Sequence, residues 1–130
     1  MQQPSNILVV DDADTVLHMM QYSLAKAGYK VHTAHNGLEA LEVAQAHKFD
    51  VIFTDIHMPE MDGISLIKAL RELPDYEHTP ILALTMTNTD TIKQTGKQAG
   101  ATGWVSKPVS PPKILDLLER FGLVATPHLA

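Results

Sequence analysis

The chain has 130 residues, no cysteine and a formal net charge of −5, with 45% hydrophobic and 19% charged residues. That composition fits one globular domain with a real core, and it excludes disulfides, thiol catalysis and cysteine-ligated zinc. The acidic balance and the strand-length limit of the apolar runs argue against a nucleic-acid surface and a membrane span.

Met1-Gln2-Gln3-Pro4 lacks the basic start and apolar core of a signal peptide, so the expected location is the cytoplasm. Asn6-Ile7-Leu8-Val9-Val10 is a short apolar run that ends in Asp11-Asp12, which reads as a buried strand and a polar loop. A helix follows from about Asp14 to Ala27, with Leu17, Met20, Leu24 and Ala27 at helical spacing and Gly28 as its C′ residue. Tyr29 to Ala34 reads as a second strand, punctuated by Asn36-Gly37, and Leu38 to His47 as a second helix rich in Ala, Leu and Glu.

The run Phe49 to Asp55 is apolar and β-branched, as expected of a central strand buried on both faces, and the chain then breaks at Pro59 and Gly63. Ile64, Ile67, Leu70 and Leu73 form the apolar face of a third helix that Pro74 ends. Pro80 to Leu84 reads as a fourth strand ending at Thr85. Thr89 to Ala99, with its threonines and internal Gly96, predicts a weak and mobile helix. Gly103 to Lys107 is a fifth strand stopped by Pro108. Ser110 is expected to cap a last helix with Pro111 at its first position and Ile114, Leu117, Leu118 and Phe121 on its buried face, followed by a frayed tail after Gly122. Strands alternating with helices predict an α/β fold, a parallel sheet covered on both faces, in a single domain over residues 1–130 with a core of about 6–122.

In such a sheet the carboxyl ends of all strands share one edge, which is where open α/β folds place their sites. Here those ends carry Asp11, Asp12, Asp55, Thr85 and Lys107. Carboxylates this close repel, by about 4 kcal/mol for two charges 4 Å apart at an effective dielectric near 20. An oxygen-only ligand set calls for a hard divalent cation, Mg²⁺ above all with Mn²⁺ as an alternative. Lys107 can engage a phosphoryl oxygen as a compact charge, and Thr85 can donate a hydroxyl. A nucleophilic carboxylate with that equipment suits phosphoryl transfer onto Asp55.

Val9-Val10-Asp11-Asp12, Thr54-Asp55-Ile56-His57-Met58-Pro59-Glu60-Met61-Asp62-Gly63, Leu84-Thr85 and Gly100 to Pro108 together resemble the receiver domain of two-component response regulators over nearly the whole chain. The resemblance implies a flavodoxin-like (βα)5 three-layer sandwich with strand order 2-1-3-4-5. It implies that Asp55 takes phosphate from the phosphohistidine of a sensor histidine kinase or its phosphotransfer domain. Asp12 and Asp55 would bind Mg²⁺ directly, Asp11 through water, with the backbone carbonyl of His57 completing the set. Thr85 and Lys107 would hold phosphoryl oxygens, the Lys107-Pro108 bond would be cis, and Thr85 and Trp104 would form a switch. His57 sits at a position that tunes phosphoryl lifetime, either by holding an attacking water or by shielding the site.

With no DNA-binding or enzymatic output read in the chain, signalling is expected by docking of a target protein around the fourth helix, fifth strand and fifth helix. Leu73 to Pro80 resembles the third-helix exit of the chemotaxis type, which implies a flagellar motor switch as target. A relay or phosphate-sink receiver is the alternative, and a pseudo-receiver scaffold another. Asp12-Ala13-Asp14-Thr15-Val16 also resembles the nucleophile motif of haloacid-dehalogenase-type phosphatases, but no acidic pair follows Lys107. A nucleotide site lacks its glycine-rich loop, and His32 and His35 lack acidic or cysteine partners at zinc spacing.

Overall fold

The computed structural model describes residues 5–58, 60–86 and 90–122. Pro59, the expected helix start at Thr89, residues 1–4 and the expected frayed tail after Gly122 lie outside the described residues. The elements run β1 (Asn6–Val10), α1 (Asp14–Lys26), β2 (Lys30–Ala34), α2 (Gly37–Ala46), β3 (Val51–Asp55), α3 (Gly63–Glu72), a 3₁₀ turn (Pro74–Tyr76), β4 (Ile81–Thr85), α4 (Asp90–Ala99), β5 (Gly103–Ser106) and α5 (Pro111–Arg120). The five strands pair in parallel in the order β2-β1-β3-β4-β5. This is the α/β architecture and strand order expected, reached because every crossover from one parallel strand to the next passes through a helix.

Strand alternation divides the core into two layers. Ile7 and Val9 of β1 face one side, with Phe53, Leu24 and Ile114, while Leu8 and Val10 face the other, with Ile52, Leu66 and Ile67. All residues of β3 and β4 are buried, as strands covered on both faces must be. Each buried Val, Ile, Leu or Phe of these strands contributes roughly 1.5–3 kcal/mol through burial. Among the described residues no helix is long and apolar enough to cross a membrane.

Several boundaries differ from the sequence expectation for local reasons. Gly28, at φ 105°, ends α1, and the N–H of Tyr29 closes back on Leu24 O at 3.1 Å, so β2 starts one residue later than read. Phe49 precedes β3, because its N–H bonds the Tyr76 hydroxyl instead of the ladder. Asn36 is more than punctuation: its side chain accepts from Glu39 N at 2.8 Å and caps α2. The expected cap at Ser110 is corrected, since its backbone is extended but its side chain caps nothing. Pro111 and Pro112 occupy the first two helical positions and bring no N–H to cap. Leu117 and Phe121 are half-buried, leaving Ile114 and Leu118 as the covered face of α5.

Candidate functional site

The acidic end of β1 is shaped by its own backbone. Asp11 N donates to Ala34 O at 3.1 Å, continuing the β1–β2 ladder by one rung, and Asp11 Oδ1 accepts from Ala13 N at 3.0 Å in a tight Asx-type turn. That turn leaves Asp12 exposed and Asp11 fully buried. Asp11 Oδ2 is paired with Lys107 Nζ, 2.8 Å away, and among the described residues has no further hydrogen-bond donor.

Asp55 closes β3, and its Oδ1 accepts from Ile56 N at 2.9 Å and lies 3.4 Å from Lys107 Nζ. Its backbone is pinned from below and behind. Thr54 Oγ1 donates to Asp55 O at 3.0 Å, and Gly63 N donates to Ile56 O at 2.8 Å. A Cβ on Gly63 would lie 2.9 Å from both the Asp55 carbonyl carbon and Ile56 Cα, so only glycine lets α3 start so close to the carboxylate-bearing strand. Asp62 caps that helix through Ser65 N at 2.8 Å. In the sequence Gly63 reads as the break after the central strand, and neither the close approach it permits nor the cap at Asp62 is legible there. Between them, Glu60 takes a φ of 70°, a left-handed conformation uncommon for a side-chain-bearing residue.

Lys107 lies one residue past β5, with its N–H still donating to Thr85 O at 2.9 Å, and the Lys107–Pro108 peptide is cis. Thr85 is buried at the end of β4, where its register partner is Ser106 and the preceding Leu84 faces Asp55. Asp11, Asp12, Asp55 and Lys107 therefore meet at one edge, with Thr85 at the end of the neighbouring strand. His57 is exposed on the loop after β3. Trp104 does not join the cluster, and its indole packs against Gly96 of α4.

The electrostatics follow from two buried carboxylates, Asp11 and Asp55, sharing the Lys107 ammonium beside the exposed Asp12. Burial, then the charge of Asp11, raises the Asp55 carboxyl above its ordinary value, against the pull of Lys107 and the Ile56 N–H. Burial works to lower Lys107, but its contact with Asp11 and the charges of Asp55 and Asp11 outweigh that, so its ammonium is raised. One oxygen from each of Asp11, Asp12 and Asp55 lies within 4.8 Å of the others. Three carboxylates with one ammonium among them, and a buried Asp11 oxygen that has no donor besides that ammonium among the described residues, fit a hard divalent ion.

Two histidine arrangements add contacts outside the strand-end cluster. His35 does have acidic neighbours, with Nε2 at 3.0 Å from Asp14 Oδ1 and Nδ1 at 3.5 Å from Glu39 Oε2, although the acidic cluster at the strand ends remains the one metal-type group among the described residues. His32 stacks on His47 with ring centroids 4.7 Å apart.

A family model for the response regulator receiver domain matches residues 7–119. The chain is 28% identical over 118 residues to the polar-differentiation response regulator DivK of Brucella anthropi, covering 91% of this chain and 96% of that protein. It is 40% identical over 108 residues to the alkaline phosphatase synthesis transcriptional regulatory protein PhoP of Bacillus subtilis, covering 83% of the chain but only 44% of PhoP. Among solved structures, the chemotaxis protein CheY4 of Vibrio cholerae superposes with a TM-score of 0.88 at 44% identity, covering 91% of this chain and 98% of that one. The receiver domain of a Pseudomonas aeruginosa sensor histidine kinase, solved with a magnesium ion coordinated in its active site cleft, gives 0.83 at 26% identity, covering 91% and 97%. By its match over most of its length, and by the fold and strand-edge cluster described above, the chain belongs to the response regulator receiver domains of two-component signalling.

Proposed function

We propose that Asp55 is the phosphoacceptor of this receiver. The observation that carries the reading is the position of its carboxylate at the end of β3, 3.4 Å from Lys107 Nζ and inside the Asp11–Asp12–Asp55 cluster. An Asp55 oxygen forms a bond to the phosphorus of a kinase or phosphotransfer-domain phosphohistidine as the P–N bond breaks. The electron pair leaves with the imidazole, which takes a proton from solvent. Lys107 and the Thr85 hydroxyl hold phosphoryl oxygens in place of the contacts Lys107 makes with carboxylates at rest. Asp12 and Asp55 would hold Mg²⁺, or Mn²⁺, with Asp11 acting through water and the His57 backbone carbonyl as a further ligand. Bound there, the ion would neutralise the charge that gathers on the transferring group.

The chain works as a signalling module, and slow hydrolysis of its own acyl phosphate, with His57 setting the rate, is its remaining chemistry. A single receiver unit acting in the cytoplasm, with output by docking of a target on the α4–β5–α5 face, is the arrangement this reading favours. The likeness to Vibrio cholerae CheY4 supports chemotaxis and a flagellar motor switch as the pathway and target. A relay or phosphate-sink role is the second reading, favoured by the near-full-length match to DivK.

The test is chemical. The protein is incubated with Mg²⁺ and acetyl phosphate or phosphoramidate, the acyl phosphate is trapped by borohydride reduction, and the modified residue is mapped by mass spectrometry. Label on Asp55 that disappears in Asp55→Asn and on chelation of Mg²⁺ is the expected result. Label on Asp12, or none with either donor, overturns the reading.

A further inference from the structure

Gly96 stands in the middle of α4, where glycine is the least favourable residue after proline. It is buried, and a Cβ there would fall on Cη2 of the Trp104 indole, 2.7 Å from Cζ2 and 3.2 Å from Cζ3. Carbon atoms pack at about 3.5–4.0 Å, so not even a methyl group fits beneath the ring. Trp104 itself is half-buried, belongs to neither core cluster, and pairs with Ala83, two residues before Thr85. Its indole forms one wall of a cavity of about 440 Å³ lined also by Lys93, Gln94, Lys97 and Thr102.

We infer that Gly96 is a positioning residue for Trp104: the missing side chain is the seat of the indole on α4, and it couples β5 to that helix. The outer ring of a tryptophan reaches farther than a phenyl ring, and the bare turn at residue 96 is what accommodates it. Overpacking a filled site forces rearrangement, so a methyl at this position obliges the indole to leave its seat or α4 to lift. Either motion reshapes the cavity wall between Lys93 and Lys97 without touching the acidic cluster. The part of the inference that concerns output rests on Asp55 as phosphoacceptor; the seat itself does not.

A double-mutant cycle separates the seat from helix propensity. Gly96→Ala is expected to lower the melting midpoint of the native chain by about 3–8 °C through overpacking. In a Trp104→Phe background the same change is expected to raise it by about 2–6 °C, because there only helix propensity acts. Trp104 is the only tryptophan, so emission and acrylamide quenching read the indole alone. Both should shift in Gly96→Ala before any phosphorylation. Labelling of Asp55 by acetyl phosphate should proceed as in the native protein; in the native protein the seated indole is expected to change its emission on labelling, and in Gly96→Ala that change should be lost. If Gly96→Ala does not fold alone, rescue by Trp104→Phe gives the same sign reversal. Stabilisation in both backgrounds, unchanged emission, or a double variant that also fails to fold overturns the seat. Failure of the native chain to label overturns the phosphoacceptor instead and leaves the cycle to decide the seat.

Discussion

Asp55 is held where its charge is unwelcome. Its carboxyl is raised by burial and by Asp11, so the folded chain binds this proton more tightly than the unfolded chain does. The corresponding stability is fully present below the ordinary carboxyl value of 3.8 and is lost as pH rises through the raised folded value. At neutral pH in chelator, Asp55→Asn should therefore stabilise the protein. The gain should be roughly 1–3 kcal/mol, a part of the about 4 kcal/mol with which two charges 4 Å apart repel at an effective dielectric near 20. Urea titration of both proteins at pH 7 in chelator measures it, and a less stable Asn variant would contradict the repulsion. Adding Mg²⁺ should narrow or reverse the gap, because an ion that binds only the native carboxylate cluster stabilises that state. At this scale the sequence displayed the five strand-end residues, but not that Asp11 is buried while its neighbour Asp12 is exposed. A one-residue alternation at a strand exit and the Asp11–Ala13 turn decide that.

Helix starts in this chain are secured unequally. The side chains of Asn36 and Asp62 each accept a backbone hydrogen bond at 2.8 Å, whereas the Ser110 side chain accepts none from α5. Asn36→Ala and Asp62→Ala should each cost about 1 kcal/mol, and Ser110→Ala less than about 0.5 kcal/mol. Chemical denaturation of the three variants checks the order, and a Ser110 loss as large as that of Asn36 would show a cap absent here. Element existence was legible because apolar runs of strand length and 3.6-residue periodicity survive any tertiary arrangement. The boundaries were less so. Phe49 left β3, and Gly96 of α4 made sense only once the indole above it was seen.

Across the molecule, the edge opposite the acidic cluster is tied by Tyr76. Its hydroxyl lies 2.6 Å from Ala44 O and 2.7 Å from His47 O, and it accepts from Phe49 N at 3.3 Å, joining the 3₁₀ turn to the end of α2 and the approach to β3. Arg71 does the same between α3 and the loop before β5, donating through Nε to Gly100 O at 2.9 Å and through Nη1 to Tyr76 O at 2.7 Å. Tyr76→Phe keeps the ring but leaves buried backbone groups unpaired, which should cost about 1–3 kcal/mol. Because β3 runs from this edge to Asp55 at the other, acetyl phosphate labelling of the folded variant should be unchanged. A stable variant that labels poorly would show that the two edges are coupled.

The order of elements, the parallel sheet and the strand-end placement of Asp11, Asp12, Asp55, Thr85 and Lys107 were determined by the sequence alone, because apolar periodicity and chain-end polarity are local properties. Tertiary structure alone decided which charge is buried, that Lys107 serves Asp11 and Asp55 together, that Gly63 is wedged under the Asp55 backbone, and that Trp104 rests on Gly96. These contacts join residues far apart in the chain, and their outcome is set by ångström-scale packing and desolvation that no local pattern records.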